Sequence, residues 1–510
     1  MPVGRARCVA LVGLSGALVD VEAELSNQSP GFKLIGLPDS ALREAEQRVR
    51  AAIGNSGLEW PKRKLTVNLS PADLPKQGSA FDLAIAIATL ATSGQVPVES
   101  AADAAHLGEL ALDGRLRPMR GVLPAVLAAV RAGVPTVLVP SANRAEAELV
   151  PGIRVVGVGS LRDAAIFHGA ELAPEPVDEL QPPPLPAPAS PVGDLADVVG
   201  NDEAVEALVV AAAGGHHLLM VGPPGAGKTM LAARLPGILP PLDGEAALEA
   251  TSVRSLCGLP IGGALVTEPP FENPHHTATA AAMVGGGSAV IRPGAAARAS
   301  SGVLFLDEAP EFSSAALETL RQPLESGEIT IARASAVARF PGRFQLVLAA
   351  NPCPCGEWGS PENRCTCPVA VRMRYLKRLS GPLLDRIDIR VRVARVTAAQ
   401  LRLRDEQPRL DSATARARVA AARARAAARL DRTAWRANAE VPGPVLRSPA
   451  MALGRAVLAP VDRALERGLI TMRGYDRVLR IAWTLADLDA IERPGSDQVG
   501  RALLLRRSVT

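Results

Sequence analysis

The chain has 510 residues, room for roughly three domains at about 150 residues each. Hydrophobic residues make up 48% and charged residues 21%, the balance of a globular protein with apolar cores, and no apolar run is long enough to span a membrane as a helix. A net charge of +4 and 3% aromatic residues argue against a protein that binds nucleic acid by bulk charge, or that holds single strands mainly by stacking bases.

The opening stretch, MPVGRARCVALVGLSGALV, imitates a secretory leader, with two arginines before an apolar run. It continues into VDVEAEL, whose alternation of apolar and acidic residues is that of a half-buried strand. The segment therefore reads as structure, and the expected compartment is the cytoplasm. LTVNLSP reads as a strand, FDLAIAIATLAT as a buried helix, VLPAVLAAVRAGV as an amphipathic helix and TVLVP as a buried strand. Residues 1–170 thus form a mixed α/β or α+β domain. Residues 171–195 are proline-rich without periodicity, an extended spacer that cannot build a core.

Over residues 196–395 apolar strands alternate with helices. EAVEALVVAAAGG is a helix, HHLLMVG a strand and GKTMLAARLPGIL a helix, with VLFLDE and FQLVLAAN as further strands. Such alternation implies a mostly parallel sheet covered on both faces. Residues 396–510 read as helical, RGYDRVLRIAWTLADL most clearly. No internal repeat is visible.

The second unit carries the chemistry. Gly222, Pro223, Pro224, Gly225, Ala226, Gly227, Lys228 and Thr229 spell a complete phosphate-binding loop between a strand and a helix, the context that motif requires. Glycines turn backbone N–H groups toward phosphate oxygens, and the helix N-terminus adds partial positive charge. Lys228 would reach the β- and γ-phosphates of ATP, and Thr229 would hold Mg²⁺. VLFLDE ends in Asp307, a second Mg²⁺ ligand, and Glu308, a base for the attacking water. Asn351 closes the next apolar strand, where its amide can position that water. Arg386 has two readings on spacing alone: transition-state charge, often supplied to a neighbouring subunit, or a salt bridge with Asp385 or Asp388.

Of six cysteines, Cys8 and Cys257 stand alone and read as ordinary thiols. Cys353, Cys355, Cys365 and Cys367 form two CxC pairs, and four sulfurs close a tetrahedral structural zinc site. The alternative is a reduced, metal-free loop, since CxC is tighter than the usual CxxC. In the segment ITIARASAVARFPGRF, Arg333, Arg339 and Arg343 are candidate phosphate contacts. Arg425, Arg429, Arg432 and Arg436 would share one helix face, either a phosphate-binding stripe or a solvated surface. His275 and His276 are adjacent and cannot form a helical metal pair, so packing or a backbone contact is expected of them.

Read together, GLPDSALREAEQRVRAAIGNSG, LTVNLSPADLPKQGSAFDLAIAIATL, NPHHTATAAAMVGGG, GVLFLDEAPEF, LETLRQPLESGEITIARA, AANPCPCG and SGPLLDRIDI resemble the signature segments of the magnesium-chelatase-like AAA+ ATPases, and most closely the ComM (YifB) group. The resemblance covers nearly the whole chain. It implies an α/β architecture: a Lon-protease-like α+β domain of the ribosomal protein S5 domain 2-like kind, then an AAA+ αβα core with a helical lid. It also implies a homohexameric ring that uses ATP and Mg²⁺ to move on single-stranded and branched DNA, driving branch migration as in natural transformation. By the same resemblance Asn351 takes the sensor-1 role, Arg386 the arginine-finger role and the hairpin arginines a place in the pore. Arg473 takes the lid-sensor role, with Arg477 and Arg480 as competitors. In the Lon-like domain an ungapped match puts Ala80 at the nucleophilic serine, one place after Ser79, and Leu123 at the lysine. No lysine occurs between Lys76 and Lys228, so peptidase activity is not expected. Two other functions stay open at this stage, a chelatase motor and an ATP-dependent peptidase.

Overall fold

The computed structural model describes residues 3–506 apart from 38, 40, 41, 43, 77, 179, 181–192, 288–290, 334–336, 360–363 and 403–407. Most of the proline-rich spacer therefore lies outside the described residues.

The first unit is built from β1 (Gly4–Val12), β2 (Ser15–Ser26), β3 (Gly31–Ile35), β4 (Lys64–Ser70), β5 (Ala104–His106), the short pair β6 (Glu109–Leu110) and β7 (Leu116–Arg117), β8 (Thr136–Pro140) and β9 (Arg154–Val158). Seven of these form one sheet in the order β3-β4-β2-β1-β5-β8-β9. β1, β2 and β4 pair antiparallel, and the run from β1 through β5 and β8 to β9 is parallel. β4 buries every second residue, as its sequence predicts for a sheet with one covered face. The cover includes helix Asp82–Thr92, every residue of which is buried. A largely apolar stretch without amphipathic periodicity belongs in such a place, and its buried Asp82 and Thr89 are hydrogen-bonded, to Arg48 and to the Ile85 carbonyl.

The second unit contains β10 (Leu218–Val221), β11 (Phe271–Glu272), the short hairpin β12 (Gly285–Gly286) and β13 (Arg292–Pro293), β14 (Val303–Leu306), the hairpin β15 (Glu328–Ala332) and β16 (Val337–Pro341), β17 (Gln345–Ala350) and β18 (Ile389–Arg392). The main sheet runs β11-β14-β17-β10-β18, all parallel. β10, β14 and β17 are buried along their whole length, which explains their apolar sequences; Gln345, the polar first residue of β17, donates to the His216 carbonyl at 2.8 Å. All five strands point the same way, so the residues that follow β10, β14 and β17 gather at one carboxyl edge, where open α/β sheets bind ligands.

The lid contains helices Ser412–Leu430, Arg455–Glu466, Met472–Leu488 and Ser496–Leu505. Its core includes Trp483, which lies under the Arg429 guanidinium at 4.5 Å. Arg429 also pairs with the buried Asp487 at 2.7 Å, and Arg425 donates to the Asp487 carbonyl. Both arginines tie helix Ser412–Leu430 to helix Met472–Leu488, Arg429 half-buried and Arg425 still exposed, so the expected single face is only partly a solvated one. Arg432 and Arg436 fall beyond the end of helix Ser412–Leu430, and Arg436 pairs with Asp243 and Glu245. Among the described residues no helix is long and apolar enough to cross a membrane.

The two units touch. Helix Val122–Arg131 packs on helix Gly244–Cys257, Gly121 N–H donates to the Ser255 carbonyl at 3.1 Å, and the Ser255 hydroxyl bonds the Glu146 carboxylate. The backbone of Gly13 pairs with that of Arg339 on β16.

Candidate nucleotide site and cysteine cluster

β10 ends at Val221, and Gly222 N–H donates to the Ala350 carbonyl at 3.1 Å, tying the loop to β17. Gly225 and Gly227 have φ of +73° and +92°, a region that only glycine enters at no steric cost, and helix Lys228–Ile238 starts at once. Lys228 Nζ donates to the Gly222 carbonyl at 2.7 Å, the Pro223 carbonyl at 3.0 Å and Asn351 Oδ1 at 3.1 Å. Burial lowers its pKa, and Asp307 and Glu308 oppose that shift.

Thr229 Oγ1 donates to Asp307 Oδ2 at 2.6 Å. The two proposed Mg²⁺ ligands, 78 positions apart in sequence, thus share one point at the sheet edge, with the phosphate loop beside them. Glu308 follows with φ +50°, a left-handed backbone that costs a non-glycine residue about 1–2 kcal/mol. Its N–H bonds Asp307 Oδ1 at 2.9 Å, and its side chain is half exposed. Such strain at the end of a buried strand is the kind that clusters at functional sites. Glu308 Oε2 also lies 3.4 Å from His276 Nδ1. His275 and His276 do pack ring to ring and bond locally, as expected. The contact with Glu308 was not visible in the sequence, because it depends on β11 lying next to β14.

Arg386 follows the short helix Gly381–Leu384. It donates to the Pro382 carbonyl at 2.6 Å and pairs with Glu325. It pairs with neither Asp385 nor Asp388, so that sequence alternative is corrected. Asp385 takes Arg473 at 3.5 Å, and Asp388 takes Arg477 and His216. Arg386 and Arg473 are therefore neighbours, and among the described residues neither hydrogen-bonds the phosphate loop of its own chain. Burial, then Arg321 and Arg473, lowers the Arg386 pKa. Arg473 is 74% exposed, whereas Arg477 is committed to the buried Asp388 and Arg480 to the Val441 carbonyl. Burial works against the Asp388 charge, but Arg477, His216 and His217 hold the carboxyl well below the usual range.

The four clustered cysteines converge. Their sulfurs lie within 4.8 Å of one another, with Cys353–Cys355, Cys353–Cys365 and Cys355–Cys365 at 3.3, 3.6 and 3.7 Å. Four thiolates at Zn–S bonds of about 2.3 Å have edges of about 3.8 Å, so the set fits a tetrahedral zinc ion. Cys8 is fully buried, with its thiol pushed up to about 12 by burial, and Cys257 is half-buried. The cysteine loop also sits on the phosphate loop. A Cβ at Gly356 would overlap Pro224, and Arg395 joins Glu357 at 2.6 Å to the Pro224 carbonyl at 3.4 Å.

The hairpin arginines do not form one patch. Arg333 is exposed at the edge of the turn, whose residues 334–336 lie outside the described set. Arg339 is exposed on β16, 3.8 Å from Glu328. Arg343 lies past the hairpin, at its base. Its N–H bonds Ser300 Oγ and its carbonyl takes Ser301 N–H, so it is set apart from a shared tip. In the first unit Ala80 packs against the core, Leu123 is fully buried and the Ser79 hydroxyl bonds the Glu109 carboxylate.

A phosphate loop, two edge carboxylates and an edge asparagine on a β11-β14-β17-β10-β18 sheet with a helical lid define an AAA+ ATPase. Three family descriptions match in chain order: "Subunit ChlI of Mg-chelatase" over residues 21–143, "Magnesium chelatase, subunit ChlI" over 194–401 and "Magnesium chelatase, subunit ChlI C-terminal" over 409–506. The chain is 50% identical over 510 residues to "Uncharacterized protein Rv2897c" of Mycobacterium tuberculosis, covering 100% of this chain and 99% of that one. It is 39% identical over 501 residues to "Competence protein ComM" of Haemophilus influenzae, covering 98% and 96%. A shorter stretch of 156 residues, 29% of this chain and 19% of the relative, is 30% identical to a Lon protease of Trichlorobacter lovleyi. The chain belongs to the magnesium-chelatase-like AAA+ family, in its ComM group.

Proposed function

We propose that this ATPase is a DNA motor that drives branch migration of recombination intermediates, as in natural transformation, working as a homohexameric ring on single-stranded and branched DNA. The observation that carries the reading is the assembled carboxyl edge of the second sheet, in a unit that also carries a hairpin exposing Arg333 and Arg339. The printed name of the Haemophilus relative, a competence protein, supports the same choice. In this reading Thr229 and Asp307 hold Mg²⁺, which neutralises phosphate charge when bound. Lys228 turns from the loop carbonyls to the phosphates, Asn351 orients the attacking water and Glu308 takes its proton. Arg386 and Arg473, side by side and away from their own phosphate loop, face the nucleotide of a neighbouring subunit. Arg333 and Arg339 hold phosphates without reading sequence. Cys353, Cys355, Cys365 and Cys367 hold a structural zinc that stiffens the loop seated on Pro224.

The test is steady-state ATP hydrolysis without DNA, with single-stranded DNA and with a branched duplex, using Glu308→Gln as the blank. Several-fold stimulation by DNA supports the motor. Hydrolysis indifferent to every DNA but altered by a tetrapyrrole would replace it with a chelatase motor. A peptidase reading has less to stand on, since Ser79 is engaged by Glu109 and the lysine place holds a buried leucine.

A further inference from the structure

We propose that Arg395 and Glu357 are positioning residues that close a strap over the phosphate loop, so that the metal state of the four clustered cysteines governs how tightly ATP binds. The proposal rests on the reading of those cysteines as a metal site.

The phosphate loop is bracketed by the exits of two strands. On one side Gly222 N–H donates to the Ala350 carbonyl at the end of β17. On the other, Val393 N–H, just past β18, donates to the Val221 carbonyl at 2.9 Å, and a Cβ at Gly222 would collide with the Val393 carbonyl. The chain leaving β17 becomes the cysteine loop, and the chain leaving β18 reaches Arg395. They meet at Pro224. Arg395 Nη2 lies 2.6 Å from Glu357 Oε1 and Nη1 lies 3.4 Å from Oε2, while Arg395 Nε donates to the Pro224 carbonyl at 3.4 Å. Gly356 completes the seat. Its φ is +78°, and any side chain there would overlap the Pro224 ring.

The other end of the strap is the cysteine cluster. Gly356 and Glu357 directly follow Cys355, and Gly356 N–H donates to the Cys353 carbonyl at 2.9 Å. Cys353 is fully buried and lies just past Asn351. Trp358, next after Glu357, sits under the Arg372 guanidinium at 5.0 Å, and Arg372 belongs to helix Val369–Leu376, which begins just past Cys367. With an ion bound, four sulfurs held on one centre fix Cys355 against Cys353 and Cys365, and Glu357 is aimed at Arg395. Four thiolates without an ion repel one another, and the turn that aims Glu357 loses its frame.

A single exposed ion pair contributes little. This one is bidentate, and the third donor of the same guanidinium holds the backbone of the phosphate loop, the geometry in which arginine pairs are strong. The place held also matters. The carbonyls of Gly222 and Pro223, next to Pro224, are the ones Lys228 occupies. A shift of Pro224 therefore moves the acceptors that set where Lys228 stands for the phosphates.

Titration of a fluorescent ATP analogue into the full chain, with and without a zinc-selective chelator that leaves Mg²⁺ in place, tests the coupling. The purified protein should carry about one zinc per chain, and chelation should weaken nucleotide binding roughly five- to tenfold. By reciprocity, bound nucleotide should tighten zinc by the same factor, read as slower release to a chromogenic chelator. Arg395→Ala should keep its zinc, bind the analogue as weakly as the chelated wild type and lose nothing more on chelation. In steady state it should raise KM for ATP with kcat within about twofold of wild type. Glu357→Ala should match it, and the double variant should be no weaker than either single one. Arg395→Ala that binds as tightly as wild type, or chelation that weakens both proteins alike, would overturn the proposal. The two readings fail separately. A chain that holds no metal and takes up none removes the metal site and the proposal with it. A chain that holds zinc, yet binds nucleotide equally well without it, removes only the coupling.

Discussion

The two α/β units of this chain treat the same kind of place in opposite ways. In the motor unit the sheet edge keeps its polar groups: Lys228 donates to Asn351 and Thr229 to Asp307 there, with Glu308 next in the chain. In the Lon-like unit the places that the sequence resemblance would give to a nucleophile and its base hold Ala80 and Leu123. Leu123 is not idle filler. Its N–H lies 3.0 Å from Glu146 Oε1 and 3.4 Å from the hydroxyl of Ser255, a residue of the motor. Where a base would stand, the chain has a docking seam.

The largest effect that would sharpen this contrast is catalytic. Glu308→Gln should lower kcat for ATP by roughly 100-fold or more, the range for removing a general base, while nucleotide still binds. Measured beside it, Ser79→Ala should change nothing, because neither it nor the wild type should cleave unfolded casein. Casein cleavage abolished by Ser79→Ala would break the comparison outright.

Next in size is the junction of lid and sheet. Asp388 is buried between Arg477 and His216, and replacing one partner of a buried pair leaves an uncompensated charge. Asp388→Asn should cost about 3–5 kcal/mol, read as a fall in the urea midpoint. A change below about 1 kcal/mol would mean that solvent already reaches Arg477.

Acid should weaken both units. Burial lowers His106 to about 3 and His168 and His217 to about 4, so all three stay neutral in the fold at pH values where an unfolded chain takes up protons. Below about pH 6.5 the unfolded state binds protons that the native state does not, and stability falls with pH down to about 4 at up to about 1.4 kcal/mol per unit for each such group. Asp82, lifted by burial to about 6 against the pull of Arg48, works with the opposite sign between about 4 and 6 and offsets part of the loss. Urea midpoints at pH 7, 6 and 5 check this. A midpoint that does not fall would mean these histidines are protonated in the native state.

Much of this was legible in the sequence. β10, β14 and β17 sit within the apolar runs that marked them, and helix Asp82–Thr92 falls in its largely apolar stretch, because full burial removes the need for alternation. The phosphate loop was legible because its chemistry is local in sequence. What depended on the order of strands was not. Nothing near His276 announces Glu308, since the two meet only through the pairing of β11 with β14. Spacing on a helix misled for Arg425 and Arg429, whose partners Asp487 and Trp483 lie on another helix. The seat of Gly356 on Pro224 was hidden for the same reason.

The smallest effect tests the seam itself. The Ser255 hydroxyl and Leu123 N–H both bond the Glu146 carboxylate, so one charged acceptor serves both units. Hydrogen bonds to a charged group contribute about 1.5–3 kcal/mol, and part of that remains when Leu123 N–H and Asn143 Nδ2 are left as donors to Glu146. A double-mutant cycle of Glu146→Ala and Ser255→Ala should therefore give a coupling energy of about 1 kcal/mol in thermal or urea unfolding. Coupling near zero would make the seam a contact without consequence, and the Lon-like unit would be a passenger beside the motor. Coupling of the expected size, together with a changed ATPase rate in either single variant, would make the place of the missing lysine a joint through which the first unit acts on the second.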